Sequence, residues 1–290
     1  MDIYEYKRSE RIKRRRREQK RRRMFFFAVV GVLFAVLCVS LVSRIGKKGA
    51  DTAKNDEPEL IINDVVYPMP PEAVADLLTA INKPDGVKTC YLTFDDGPTN
   101  SITPRILDTL RRYNVKATFF AVGSLLEANP DMARREYEEG HFIANHSYAH
   151  NYSNLYADET AFMNEINQTF TLIKGIVGKE NYPKIFRFPG GGYNAGKYGE
   201  AKQRYKEVLK NNGIRYCDWN ALNGDAEGGT PSAEQLIERV KKTTNGKEDV
   251  VILMHDAATK ATTADALPQV IEYLMGEGYS FRTLDKAPRA

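Results

Sequence analysis

The chain has 290 residues, 42% of them hydrophobic and 28% charged, which allows one large globular domain or two small ones. The formal net charge of +4 hides a segregation: residues 1–23 carry twelve Lys/Arg against four Asp/Glu, and the remaining residues carry thirty against thirty-four. A basic tail on a mildly acidic body excludes nucleic acid as the partner of the folded part.

The tail, 1–23, includes the runs Arg14-Arg15-Arg16-Arg17 and Arg21-Arg22-Arg23, and uncharged residues dominated by Phe, Val, Leu and Ala follow it over 24–43. Twenty such residues in a helix span about 30 Å, the hydrocarbon thickness of a bilayer. Cations just before a span hold its N-terminus in the cytoplasm. A cleaved signal peptide has a shorter apolar region, of about 7–15 residues, and a small-residue cleavage site. The expectation is therefore one uncleaved transmembrane helix at the cell membrane, with everything after it outside the cytoplasm. Residues 44–86 then read as a polar linker and a stem, the stem carrying a Pro-started helix over 71–82.

From residue 87 short β-rich runs alternate with amphipathic helical patterns. The strand-like runs are 87–94, 116–122, 141–146, 184–188, 214–219, 249–255 and 279–284; the helical ones are 102–113, 130–139, 159–177, 201–211, 232–243 and 264–275. Several helices stop at a glycine, as Gly140, Gly178, Gly213 and Gly276 show. Apolar strands separated by helices predict an α/β fold with a parallel sheet covered on both faces. No glycine-rich nucleotide fingerprint follows the first strand. A distorted (β/α) barrel of about seven parallel strands over 87–287 is favoured over an open doubly wound sheet. Cys90 and Cys217 sit in apolar runs and read as buried thiols rather than a disulfide.

Functional residues of parallel α/β folds gather at the C-terminal ends of strands. Those ends carry Asp95-Asp96-Gly97-Pro98, His146-Ser147-Tyr148-Ala149-His150, Arg187 with Gly190-Gly191-Gly192, Asp218-Trp219 and Leu253-Met254-His255. The chain has only 4 histidines, and these ends hold His146, His150 and His255. Taken singly, each piece has an ordinary reading: a turn for Asp-Asp-Gly-Pro, a core histidine for His255, an ion-pair partner for Arg187, a core aromatic for Trp219. Their coincidence at one face carries the argument. His146 and His150, placed on one helical turn, would aim two imidazoles at one point. Two histidines and one carboxylate leave positions open on a catalytic metal for water and substrate. One aspartate of the pair can ligate while the other takes a proton from water, and His255 can protonate the leaving group. Arg187 and Asp218 bring charges that bias those two proton carriers in opposite directions.

In order, these segments resemble the five motifs of the NodB-type polysaccharide deacetylases, over roughly 87–285. The resemblance implies that Asp95 is the catalytic base and that Asp96, His146 and His150 hold a divalent metal, zinc before cobalt or another ion. It implies that Arg187 tunes the base, that Asp218 tunes the acid His255, and that Trp219 and Leu253 wall the groove for the acetyl methyl. The third motif departs from the family pattern, with Gly190 where an aromatic residue normally follows the proline. Glycine keeps the backbone N–H that helps bind the oxyanion in relatives, and Tyr193 is a candidate to fill the missing wall. The implied activity is metal-dependent removal of N-acetyl groups from a surface polysaccharide. Peptidoglycan comes first, since an enzyme tethered outside the membrane meets wall polymer first. Other glycans, namely chitin-like oligomers, poly-N-acetylglucosamine and O-acetylated xylan, come next. An idle glycan-binding module and a membrane scaffold working through the basic tail are the non-enzymatic alternatives.

Overall fold

The computed structural model describes residues 59–62, 65–68, 76–83 and 85–288. The basic tail, the apolar span and most of the linker lie outside the described residues. Among those described, no helix is long and apolar enough to cross a membrane.

A small antiparallel pair, β1 (Glu59–Ile62) and β2 (Val65–Pro68), precedes the main sheet. That sheet contains β3 (Thr89–Asp95), β4 (Thr118–Ala121), β5 (Phe142–Asn145), β6 (Ile185–Phe186), β7 (Arg215–Tyr216), β8 (Ala221–Leu222) and β9 (Asp249–His255). The spatial order is β7-β6-β5-β4-β3-β9-β8, and every pairing is parallel. A further strand, β10 (Ser280–Phe281), pairs with the first residues of β3, where β4 has not yet begun its own register. The path has two ends, β7 and β8, that do not pair with each other. The expected barrel is therefore a curled half-barrel, open along one side.

Strand alternation sorts side chains onto the two faces. From β3 and β9, Cys90, Leu92, Phe94, Val250, Ile252 and Met254 face the covering helices and join Ile106, Leu110, Leu236, Val240 and Leu267 in the largest core. The opposite parity, Tyr91 and Val251, packs inside the curl with Phe120, Ala144 and Cys217. Each such fully buried apolar side chain contributes about 1.5–3 kcal/mol. The inner parity also includes Thr93, Asp95, Leu253 and His255, so the alternation that builds the core delivers the chemistry to the inner rim.

The helices follow their sequence signals. Glu159–Val177 is capped by Asp158, which accepts from the Ala161 N–H, and ends at Gly178 in the left-handed region. Ala233–Thr244 begins at a reciprocal capping box between Ser232 and Gln235. Several expected strands are much shorter in the structure, with 184–188 reduced to Ile185–Phe186 and 214–219 to Arg215–Tyr216. Cys90 and Cys217 are buried free thiols.

Candidate active site

The turn after β3 presents two carboxylates in different ways. Asp95 ends the strand and is buried, while Asp96 adopts φ 73°, in the left-handed region. Gly97 follows because nothing larger fits: a Cβ there would stand 2.0 Å from Asp256 Oδ2. Asp256 is itself pinned, donating its N–H to Asp95 O (3.0 Å) and accepting from Thr103 Oγ1 (2.5 Å). Strand end and turn thus form one rigid unit.

The two histidines of the second segment are not on a helical turn. His146 follows β5, and the chain then passes through Ser147 (φ 67°) and His150 (φ 51°) as a loop. Side chains hold that loop in place of helical hydrogen bonds. Glu165 accepts from the N–H groups of Tyr148 and Ala149, both at 3.0 Å, and Ser147 Oγ accepts from the His150 N–H at 3.1 Å. The rings converge nonetheless, His146 Nε2 lying 3.5 Å and His150 Nε2 3.3 Å from Asp96 Oδ1.

These atoms fit a metal. Donors around a tetrahedral zinc at about 2.0–2.1 Å are separated by roughly 3.3–3.4 Å. Asp96 Oδ1 is buried with no hydrogen-bond partner, an orphaned acceptor of the kind a cation satisfies. His146 Nδ1 faces the Arg187 carbonyl at 3.0 Å, which fixes the proton there and turns the Nε2 lone pair inward. Burial pushes the His146 pKa down to about 3, so the ring is neutral, as a ligand must be. Among the described residues this is the one His/Cys/Asp/Glu group with metal-ligand spacing.

Arg187 is fully buried and lies against Asp95, its Nη1 donating to Asp95 Oδ1 and Thr93 Oγ1, both at 2.8 Å. Its remaining contacts are to carbonyls, Nε to Cys217 (2.8 Å) and Nη2 to Asp218 (3.1 Å), and its guanidinium carbon sits 3.9 Å from the Phe120 ring centroid. Burial raises the Asp95 pKa, while Arg187 and then His255 oppose it. A buried carboxylate with a raised pKa holds a proton more readily than an exposed one would.

Asp218 does not touch the acid. Its Oδ1 accepts from the Gly192 N–H at 2.8 Å, anchoring the glycine loop. The carboxylate that meets His255 is Asp225, whose Oδ1 lies 2.7 Å from His255 Nδ1 and whose Oδ2 accepts from the His255 N–H and from Thr263 Oγ1. Burial lowers the His255 pKa but Asp225, with Asp95 and Asp96 adding to it, more than reverses that, and the group is raised to about 8. The contact with His255 expected of Asp218 is thus made by Asp225, and Asp218 anchors the glycine loop instead. Asp225 went unnoticed in the sequence because it follows β8, only two residues long and without periodicity. The available signal was an acid after an apolar pair, Ala221-Leu222, just before a glycine-rich stretch.

The glycine loop is also held from behind. Lys202, 6% exposed, donates from Nζ to Gly191 O at 2.7 Å. Gly190 and Gly191 both have positive φ, at 71° and 74°. Tyr193, the expected stand-in for the third-motif aromatic, packs edge-on against Trp219 instead (5.6 Å between centroids), with its hydroxyl on the Trp219 carbonyl. Leu253 lies one pleat from His255 on the inner face, beside Thr93 in register. Asp95, Asp96, His146, His150, Arg187 and His255 therefore meet at one rim, with Trp219 and Leu253 on the same inner side.

A family profile described as polysaccharide deacetylase matches residues 82–216. The peptidoglycan-N-acetylglucosamine deacetylase PgdA of Listeria monocytogenes is 33% identical over 229 residues, 73% of this chain and 44% of that protein, so this chain spans less than half the length of that relative. A peptidoglycan-N-acetylglucosamine deacetylase of Bacillus cereus is 33% identical over 208 residues, covering 71% of this chain and 91% of its own. The crystal structure of the catalytic domain of peptidoglycan N-acetylglucosamine deacetylase from Eubacterium rectale superposes with a TM-score of 0.65 at 35% identity, covering 71% of this chain and 93% of that one. With the matched profile, these likenesses and the convergence of Asp95, His255 and three ligand-type side chains at one rim, the chain belongs to the polysaccharide deacetylase family.

Proposed function

We propose that the protein removes the acetyl group from N-acetylglucosamine units of peptidoglycan, with a divalent metal, zinc first, held by Asp96, His146 and His150. When bound, the metal supplies Lewis-acid polarisation of the acetyl carbonyl and of water. The chain's own groups do the rest. Asp95, oriented by Arg187, accepts the proton of the attacking water. His255, kept protonated by Asp225 near neutral pH, donates from Nε2 to the departing nitrogen. The acetyl methyl lies between Trp219 and Leu253, and Gly190 offers its N–H to the carbonyl oxygen. The observation that carries this reading is the opposed pair, Asp95 against Arg187 and His255 against Asp225, beside a three-donor site. The N-acetylglucosamine substrate is supported by the names of the relatives.

The purified chain, loaded with zinc, should release acetate from peptidoglycan faster than from chitin oligomers or acetylxylan. Preference for either of the others would overturn the substrate. The anchor belongs to the same proposal: residues 24–43 hold the catalytic domain on the outer face of the cell membrane, with 1–23 in the cytoplasm. Protease added to wall-stripped cells should then digest the domain and spare the tail.

A further inference from the structure

Tyr152 enters no step described so far, yet it lies over the site. A Cβ on Gly190 would stand 2.8 Å from Tyr152 Oη and 3.4 Å from Cζ, so the phenol fills the space that a larger residue at 190 would claim. The ring is held by its neighbours: His150 at 5.5 Å, Tyr156 at 6.0 Å and, edge-on, Tyr198 at 6.3 Å between centroids. Among the described residues its hydroxyl makes no hydrogen bond, and the side chain is 37% exposed. A tyrosine locked by packing with its hydroxyl unspent is a donor prepared for something else.

The residue it packs over carries a second unspent donor. The Gly191 N–H goes to Phe188 O and the Gly192 N–H to Asp218, but the Gly190 N–H has no protein partner among the described residues. The same peptide unit is polarised from its other end, since Tyr156 Oη donates to Pro189 O at 3.0 Å. Hydrogen bonds in such chains strengthen one another. The backbone N and Cβ of one residue are about 2.5 Å apart, so Tyr152 Oη lies at most about 5.3 Å from Gly190 N. Two donors separated by that distance can both reach one oxygen between them, at about 2.9 Å each.

We propose that the Tyr152 hydroxyl is the second hydrogen-bond donor to the oxygen of the scissile acetyl group, acting opposite the Gly190 N–H. This rests on the deacetylase reading. Water gives one proton to Asp95 and adds to the acetyl carbon as hydroxide, and the carbonyl π pair moves onto oxygen as that bond forms. Collapse restores the carbonyl and breaks the C–N bond, with the His255 proton going to nitrogen, to give the amine and acetic acid, which ionises to acetate in water. Tyr152 keeps its proton throughout and stabilises the negative oxygen. Glycine at 190 is then required, because a side chain there would displace the hydroxyl.

The test compares Tyr152→Phe with wild type, both zinc-loaded, on peptidoglycan and on an aryl acetate ester. Loss of one oxyanion donor lowers kcat by about 10²–10³ where it is fully engaged. A fall of at least tenfold in kcat with KM within twofold is expected, at unchanged thermal midpoint. A phosphonamidate analogue of the substrate, which carries an anionic oxygen, should bind the variant weaker by a similar factor. Gly190→Ala should lose activity to a like degree, and the double variant should be little worse than either single one. A Tyr152→Phe enzyme with unchanged kcat, or with raised KM alone, overturns the proposal. Wild type that cleaves the ester but not peptidoglycan overturns the glycan reading only, and the ester comparison still decides Tyr152. Wild type inactive on both overturns the two together.

Discussion

His255 and Asp225 are joined twice, side chain to side chain at 2.7 Å and backbone N–H to carboxylate at 2.9 Å. The double contact fixes the position of the imidazole and also its protonation. Nδ1 keeps its proton against a carboxylate whose own pKa is lowered, burial opposing and His255 prevailing. Nε2 is left to face the site.

The first prediction removes that carboxylate. Asp225→Asn leaves His255 with burial, which lowers its pKa, and without the largest of the partners that raise it. In chelator-treated wild type an NMR titration should place His255 at about 8, and in the variant distinctly lower. The alkaline limb of kcat/KM should move to lower pH, and activity at pH 7 should fall by about 10²-fold, the usual worth of a positioned acid. The stability effect has a definite sign. A folded pKa raised to about 8 from 6.5 contributes about 2 kcal/mol below pH 6.5, and that contribution is lost as pH rises through 8. Urea titrations of wild type at pH 6 and pH 9 should show the loss, and Asp225→Asn should not.

Arg187 is predicted to stabilise as well as tune. Arg187→Met leaves Asp95 buried beside an apolar chain and takes donors from Thr93 and from the carbonyls of Cys217 and Asp218. Breaking a buried pair from one side costs about 3–5 kcal/mol. Chemical denaturation should show that drop; a change below about 1 kcal/mol would mean that water reaches Asp95 in the folded state.

The two adjacent aspartates should separate under substitution. Asp96→Asn suits its left-handed backbone but offers the metal a neutral amide, so zinc content should fall and excess zinc should restore part of the activity. Asp95→Asn should retain zinc and lose about 10²–10⁴ in rate without rescue. It should also destabilise the fold more than Asp96→Asn, since it unpairs Arg187. Equal zinc loss in both would refute the division of labour.

Lys202 offers a test away from the reacting atoms. Lys202→Met leaves the Gly191 carbonyl without its buried donor, a loss worth about 1–3 kcal/mol. The thermal midpoint should fall, and kcat should fall with it as the Gly190 N–H loses its fixed aim. An unchanged midpoint would show that Asp218, Gln203 and Tyr156 hold the loop without Lys202.

The sequence disclosed those parts of the site that ride on long strands and loud residues. Asp95 and His255 end the two seven-residue strands, whose apolar runs are plain. The helix 159–177 was legible to both its ends because Asp158 and Gly178 punctuate it. Short strands hid their cargo: β8 has two residues, so Asp225 had no periodic frame to mark it as a strand end, and Asp218 next to Trp219 drew the assignment instead. The loop from His146 to His150 mimicked helical spacing while being built from left-handed residues and Glu165, a contact across 16 positions that no local pattern reveals. Tyr152 was invisible for the same reason, since its significance comes from glycine at 190.

Asp95 and His255 are register partners in the parallel pair of β3 and β9, two interior strands flanked by β4 and β8. The two groups proposed as base and acid are therefore joined by one ladder of parallel hydrogen bonds, and no hinge intervenes between them. Their amides should be among the slowest to exchange with deuterium. Heating should leave no temperature at which the sheet persists while the proton relay has drifted apart. For an engineer the two strands are a cassette: they can be grafted together or replaced together, and shifting one by a single residue turns an acid or a base toward the helices.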